Sequence, residues 1–347
     1  MAGILFIDWR PHNRRAESLA EDLGATLELA PSRLRGKSIA SLRYLFLAIR
    51  TMALLLRHRP DVVIASSPPP FCPVCAFAYA LLFGREYVVD AHHLATTGFW
   101  SRVPLGFRFN RFVMNRALTT LVHNQEIVRM VREDGISVMT LETKIPELTG
   151  PRPAGDPAAS FTVLIPCSFD PDEPIGEIWA AARVLTDVTF RLTGNHARLD
   201  PGLKGSAPPN LILSGFLSQA EYDGLLWSCD IVLATTTTDY PVRPRAAAEA
   251  VAAEKPVIAS RNPATASHLG EAAVLIGNKA EEIVRAIGEI RSNYARFVAA
   301  SAETKRVRQA QYETELERLK GVLRRATKVP AREGNPGAEN QSASSNP

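Results

Sequence analysis

Short apolar runs alternate with amphipathic stretches along most of the chain. Residues 4–9, Ile-Leu-Phe-Ile-Asp-Trp, read as a strand, followed by a polar turn and a helical stretch from Asn13 to Leu23 that stops at Gly24. The pattern returns in Asp61–Ala65 before a Pro-rich turn and apolar Phe71–Phe83, in Tyr87–Asp90 before a loop, and in Leu118–Val122 before a helical Glu126–Asp134. Fully apolar strands alternating with helices predict a parallel sheet covered on both faces. Residues 150–160 then pack three prolines and two glycines into eleven positions with no apolar period, the mark of a linker. Beyond it, Thr162–Pro166, Val188–Thr193, Leu211–Ser214, Ile231–Ala234, Pro256–Ser260 and Ala273–Ile276 predict a second unit of the same kind.

The expected class is therefore α/β, two doubly wound Rossmann-like domains facing a cleft. The expected divisions are 1–150, a linker at 151–160, 161–279, C-terminal helices over 280–325, and a disordered tail at 326–347 rich in Pro, Gly, Ser, Asn and Ala. In open α/β sheets ligands bind beyond the carboxyl ends of the strands. Dehydrogenases, binding proteins and two-lobed transferases all use that architecture, so the choice among them rests on particular residues.

Composition narrows the choice. Across 347 residues the net charge is only +4, which argues against a dedicated nucleic-acid binder. The balance is uneven, with +5 over residues 1–150, −4 over 151–279 and +3 over 280–347. Four cysteines are too few for a disulfide framework in a chain of this length, and no signal segment opens it, so a reducing cytoplasm is expected. Tyr44–Leu56 is interrupted by Arg50 and Phe71–Phe83 stops at thirteen residues, both short of the roughly 20 needed to span a bilayer. Cys72-Pro73-Val74-Cys75 has no second pair to make a zinc site and lies in an apolar segment, which favours buried thiols. No metal site can be assembled from the histidines, and none is expected.

The turn after residues 4–9 carries no Gly-x-Gly-x-x-Gly, and no Gly-Lys-Ser/Thr loop occurs anywhere, so dinucleotide dehydrogenases and P-loop enzymes lose support. The segment with most chemistry is Ile231–Ser260: a strand, a polar turn containing Thr238, Asp239, Arg243 and Arg245, a helix Ala246–Glu254 and another strand. A helix start beside two arginines suits a diphosphate, and Glu249 is placed to accept hydrogen bonds from ribose hydroxyls. The same residues also read as caps, solvent-facing cations and a carboxylate in the field of a helix dipole.

The run Ala248-Glu249-Ala250-Val251-Ala252-Ala253-Glu254-Lys255-Pro256-Val257-Ile258-Ala259-Ser260 resembles the donor-site signature of GT-B glycosyltransferases. Upstream, the segments around Phe169–Ile175, Val188–Asn195 and Leu213–Leu217 are similar, in order, to the turns of the family's nucleotide-sugar domain. The resemblance covers most of residues 4–325 and implies a hexosyl-transferring enzyme of the retaining-type group 1 class, acting in bacterial cell-envelope polysaccharide biosynthesis. It implies a donor site built from Gly194, Asn195, Phe216, Leu217, Thr238, Asp239, Arg243, Arg245 and Glu249. The donor is a nucleotide diphosphate sugar, bound without metal. Two departures stand out. Retaining members carry Glu-x₇-Glu, but the position eight before Glu249 is Pro241, and Glu254 occupies a position where glycine is common.

In the first half, Tyr87-Val88-Val89-Asp90-Ala91-His92-His93 ends a strand in an acid and two imidazoles and is similar to the Asp-x-His segment of these enzymes. Asp90 is the expected base on the acceptor hydroxyl, with His92 or His93 bonding the transferred sugar or phosphate; the alternative is that Asp90 orients a histidine or caps a turn. Asn124 is the expected N-cap of the helix after Leu118–Val122.

Residues 33–59 hold seven Lys or Arg and no acid, and Arg43, Arg50 and Arg57 recur every seven residues. The stripe Leu42, Leu45, Phe46, Ile49, Met52, Ala53 and Leu56 is expected opposite them. Such a helix reads either as an interfacial membrane element or as an ordinary helix packing its apolar stripe on the sheet. A second acid-free patch over residues 99–116 interleaves aromatics and arginines. These features favour a lipid-linked saccharide acceptor, an anionic membrane surface as partner, no nucleic acid, and a cytoplasmic protein held peripherally at the inner face of the plasma membrane. A nucleotide-sugar 2-epimerase of the same fold and a non-catalytic membrane-docked subunit are the alternatives.

Overall fold

The computed structural model describes residues 3–32, 36, 38–92, 104–132, 135–150, 160–238 and 244–328. The described residues divide into two compact units: those within 3–121, 135–139 and 317–328 form one, those within 122–132 and 140–316 the other. Asp239, Arg243, His93, Pro241 and the segments 151–159 and 329–347 lie outside the described residues.

The first sheet is built from β1 (Ile4–Asp8), β2 (Thr26–Leu29), β3 (Val62–Ser67), β4 (Glu86–Ala91), β5 (Thr119–Val122) and β6 (Val138–Thr140), in the order β2-β1-β3-β4-β5-β6. Pairing is parallel from β2 to β5, with Ile4 opposite Val62 and Val88 opposite Thr119. Central β3 is buried along its whole length, as a strand covered on both faces must be. Interleaved in the chain are α1 (Arg14–Leu23), α2 (Ala40–His58), α3 (Phe71–Phe83), α4 (Pro104–Arg116) and α5 (Gln125–Arg132). Gly24 ends α1 in the left-handed region, and Asn124 caps α5 by accepting from the Ile127 amide at 2.9 Å.

The orientation of α2 corrects the sequence reading. Its core side is Leu47, Thr51 and Leu55, and the stripe formed by Leu42, Leu45, Phe46, Ile49 and Leu56 faces outward. The inner side is fastened to the carboxyl end of β1. The Trp9 indole donates to Thr51 Oγ1 at 2.9 Å, Trp9 stacks on Tyr44 at 6.2 Å between ring centroids, and Tyr44 meets Phe71 of α3 at 4.8 Å. At 100° per residue, Arg43, Arg50 and Arg57 fall beside the outward stripe and not opposite it.

The second sheet contains β7 (Phe161–Pro166), β8 (Val188–Thr193), β9 (Leu211–Gly215), β10 (Ile231–Ala234), β11 (Val257–Ser260) and β12 (Ala273–Ile276), in the order β12-β11-β10-β7-β8-β9, all parallel. Along this part of the chain run α6 (Ile175–Val184), α7 (Pro201–Gly205), α8 (Gln219–Ser228), α9 (Arg245–Ala252), α10 (Pro263–Leu269), α11 (Ala280–Ser292) and α12 (Tyr294–Lys328), the last of which belongs to the first unit from Glu317 onward. One core cluster gathers around Trp179 and Phe190, the other around Leu164, Leu233's neighbours on β10 and the small residues of α9. The chain leaves β7 toward β8 on one side and later returns to β10 on the other, so the order reverses between β7 and β10. At such a point the loops beyond two neighbouring strands diverge and leave a crevice.

Candidate donor and acceptor sites

In the second unit, the loops at the carboxyl edge hold one another closely. Gly194, just past β8, has φ +109°, and a Cβ there would lie 1.8 Å from the Cys167 carbonyl oxygen, so only glycine fits. The Gly194 amide donates to the Gly215 carbonyl at 2.8 Å, which draws the ends of β8 and β9 together. Asn195 accepts from the Ala197 amide at 3.2 Å and starts a single 3₁₀ turn. Phe216 is 89% exposed, an aromatic face left open at this edge, and Leu217 beside it is half-buried.

Glu173 folds the loop after β7. Its carboxylate accepts from the Ser168 and Asp170 amides at 2.9 and 3.1 Å and from the Cys167 thiol at 2.9 Å. Burial and the adjacent Glu173 push that thiol well up, so it stays protonated. At the reversal point the same loop meets the turn after β10: Thr236 Oγ1 donates to Asp172 Oδ2 at 3.0 Å, and the Thr237 amide donates to the Asp172 carbonyl at 2.7 Å. Ser260 Oγ accepts from the Thr236 amide at 2.7 Å and donates to Asn278 Oδ1 at 2.6 Å, stitching the ends of β10, β11 and β12. Thr238 follows, its amide 3.3 Å from Thr236 Oγ1. Asp172, Thr236, Ser260 and Asn278 were absent from the expected site; they join it through contacts between loops far apart in sequence.

Glu249 sits in the second turn of α9 and is 6% exposed. Its two oxygens are separately engaged: Tyr222 of α8 donates to Oε2 at 2.5 Å and Arg245 Nε donates to Oε1 at 2.7 Å. Burial and the Glu249 charge drive the Tyr222 phenol far above its usual range, keeping it a donor. The Arg245 side chain is more than half exposed, so one partner of Glu249 is fixed in the fold and the other is free to swing. Glu254 just after α9 has φ +57°, which accounts for glycine being common there. Lys305 pairs with its carboxylate at 2.9 Å.

In the first unit, β1 and β4 deliver a network of charges to their carboxyl ends. Asp8 closes β1 and takes hydrogen bonds from the Arg10 amide at 2.7 Å, from Arg10 Nη2 at 2.6 Å and from Asn13 Nδ2 at 2.5 Å. Burial opposes the charged form of Asp8, but the Arg10 guanidinium and these donors outweigh it and hold the carboxyl below its ordinary value. Asp90 at the end of β4 is fully buried and held by Arg15, whose Nε lies 3.0 Å from Oδ1 and whose Nη2 forms an ion pair at 3.0 Å. A carboxylate enclosed and paired in this way anchors α1 to the sheet, so a base role for Asp90 requires Arg15 to give way.

His92, half-buried, joins this network. Arg10 Nη2 lies 2.8 Å from His92 Nε2, and because a guanidinium only donates, Nε2 is the lone-pair nitrogen and the ring proton is on Nδ1. Burial lowers the His92 pKa to about 4, Asp90 opposing and Arg10 assisting, so the ring is neutral at pH 7. Cys72 and Cys75 are buried, with thiols raised by desolvation, in keeping with a packing role.

Known proteins match both halves of this arrangement. Residues 6–140 match the model of the glycosyl transferase 4-like domain and residues 175–293 that of the glycosyl transferases group 1, together well over half of the chain. No curated protein matches by sequence. Among solved structures, Anabaena HepE in complex with UDP and glucose is 16% identical with a TM-score of 0.70, over 93% of this chain and 100% of that one. Sucrose-phosphate synthase from Thermosynechococcus elongatus is 12% identical with a TM-score of 0.74, over 94% and 99%. A putative UDP-N-acetylglucosamine 2-epimerase from Listeria monocytogenes is 12% identical with a TM-score of 0.65, over 93% and 96%. At these identities the structural likeness speaks for the fold.

Proposed function

The chain belongs to the group 1 glycosyltransferases of GT-B fold, and from that premise we propose that it moves a hexosyl group from a uridine diphosphate sugar to a lipid-linked or growing polysaccharide acceptor at a membrane surface. The observation that carries the donor side is the Arg245–Glu249 pair beside the reversal point of the second sheet. On this reading the diphosphate lies at the start of α9 and draws Arg245 away from Glu249. The freed Oε1 accepts ribose hydroxyls while Tyr222 keeps the carboxylate in place.

In the transfer, the donor C1–O bond breaks and its electron pair leaves on the diphosphate, where Arg245 and the amides opening α9 meet the developing charge. The acceptor oxygen bonds to C1 and releases its proton to a base. Within the first unit the group fitted to take a proton is His92. A phosphate on the acceptor draws Arg10 off Nε2, which both exposes the lone pair and removes a cation that disfavours imidazolium.

Titration calorimetry with UDP tests the donor assignment. Binding heat is expected for the native protein, and Arg245→Ala should weaken UDP by about 10- to 100-fold, the range of one charge-assisted phosphate contact, while leaving uridine affinity unchanged or improved. Absence of UDP heat overturns the reading. Label from the donor entering a lipid or polysaccharide fraction separates transfer from epimerisation, which alters the free donor without any acceptor.

A further inference from the structure

Helix α2 combines two features that an ordinary sheet-covering helix does not. Its inner side is locked by the Trp9–Thr51 hydrogen bond and the Trp9–Tyr44–Phe71 ring contacts, so it cannot roll. Its outer side is a continuous apolar stripe, with Leu42 at 58% exposure, Leu45 at 57%, Phe46 at 50%, Ile49 at 63% and Leu56 at 49%. These positions fall within roughly 100° of arc and extend about 21 Å along the helix. Helix α3, packed on α2, adds Leu81 and Leu82 at 71% and 69%. An exposed apolar stripe of the kind α2 carries marks a place where something binds.

The charges around it identify what. Residues 40–59, which form α2 and its cap, hold Arg43, Arg50, Arg57 and Arg59 and no acid, and Glu28 of β2 meets His58 near the far end of the helix at 2.9 Å. Arg43, Arg50 and Arg57 border the stripe, Arg43 lying over the Tyr44 ring at 5.1 Å and Arg50 reaching the Pro31 carbonyl at 3.3 Å. No acid stands on α2 to pair with them. A second copy docked through the same face with the two helices antiparallel would bring these arginines against one another. A surface of anionic phosphate over hydrocarbon complements both the cations and the stripe. No helix is long and apolar enough to cross a membrane among the described residues, so the helix would lie in the interface.

We propose that the outward face of α2 is the seat of this protein on an anionic lipid bilayer, with Leu42, Leu45, Phe46, Ile49 and Leu56 entering the acyl boundary and Arg43, Arg50 and Arg57 meeting headgroup phosphates. The inference deepens the reading in which the acceptor is carried by a lipid. It is tested by flotation of the full chain with phosphatidylcholine vesicles, with and without about 30% phosphatidylglycerol. The native protein should float with the anionic vesicles and release as salt rises. The double substitution L45E/I49E should reduce partitioning at least about tenfold with UDP binding heat unchanged, and Ile49→Leu should behave as native. Native protein that ignores anionic vesicles while still binding UDP, or L45E/I49E protein that floats as well as native, overturns the docking surface and leaves the donor assignment standing. A sedimentation dimer dispersed by L45E/I49E also overturns it, by giving the face to a second copy. Loss of UDP heat in the native protein strikes the donor assignment instead.

Discussion

His92 carries a pH signature that can be read from its surroundings. Its folded pKa of about 4 lies below the ordinary histidine value, so between about pH 6.5 and 4 the unfolded chain binds the proton that the folded chain refuses. Stability from this group is therefore intact above about pH 6.5 and is lost as acidity increases toward pH 4, by on the order of 3 kcal/mol. Thermal unfolding of native and His92→Gln protein between those limits should show the native melting temperature falling more steeply. Parallel curves would remove the burial argument. The neighbouring Asp90 shows where residue-level reading from sequence stops. An Asp-x-His motif names the acid, but its counter-ion Arg15 stands 75 residues earlier on α1, and only the assembled sheet brings them to 3.0 Å. Gly194 is the converse: its identity was apparent in the motif, while the reason for it is a carbonyl 27 residues away.

At the level of elements, ten strands are legible as apolar runs: eight lie inside their sheets, and β9 and β12 are edge strands that keep an apolar run although only partly buried. β2 and β6, the edge strands of the first sheet, are not, since Thr-Leu-Glu-Leu is broken by polar residues and Val-Met-Thr is only three residues long, leaving no continuous apolar signal. α2 exposes a different limit. Periodicity identifies a stripe but not the side it faces, and the decisive side here is set by Trp9 and Thr51, neither conspicuous in the chain. The end of α9 offers a direct test of local backbone logic. Glu254 occupies the left-handed position that follows a helix, at a cost of about 1 kcal/mol for a residue with a Cβ, and Lys305 returns part of it. Glu254→Gly should raise stability by about 0.5 kcal/mol, or 1–2 °C in melting temperature. A fall in melting temperature would mean that the Lys305 pair outweighs the backbone.

For the whole molecule, charge is distributed by task. The first half carries the excess of bases and the segment 151–279 an excess of acids, yet that acid-rich segment is the one proposed to hold a diphosphate. Affinity there has to come from directed groups, Arg245 and the amides of α9, and not from a general field. If those groups carry the leaving-group charge, turnover should persist in a chelator. Activity measured with and without EDTA checks this, and a loss restored by added divalent cation would show that the proposed charge balance lacks a member.

The Tyr222–Glu249–Arg245 chain has one more implication. Before any guest arrives, the guanidinium already stands in for it, so occupancy is a contest between an internal ligand and an external one. Pyrophosphate alone can lure Arg245 away but strands a carboxylate, and a nucleoside alone can greet the carboxylate but must evict the cation unaided. If Arg245 and Glu249 hold the donor as proposed, only a molecule bearing both halves settles the exchange, and selectivity for the intact nucleotide is already written into the unliganded protein.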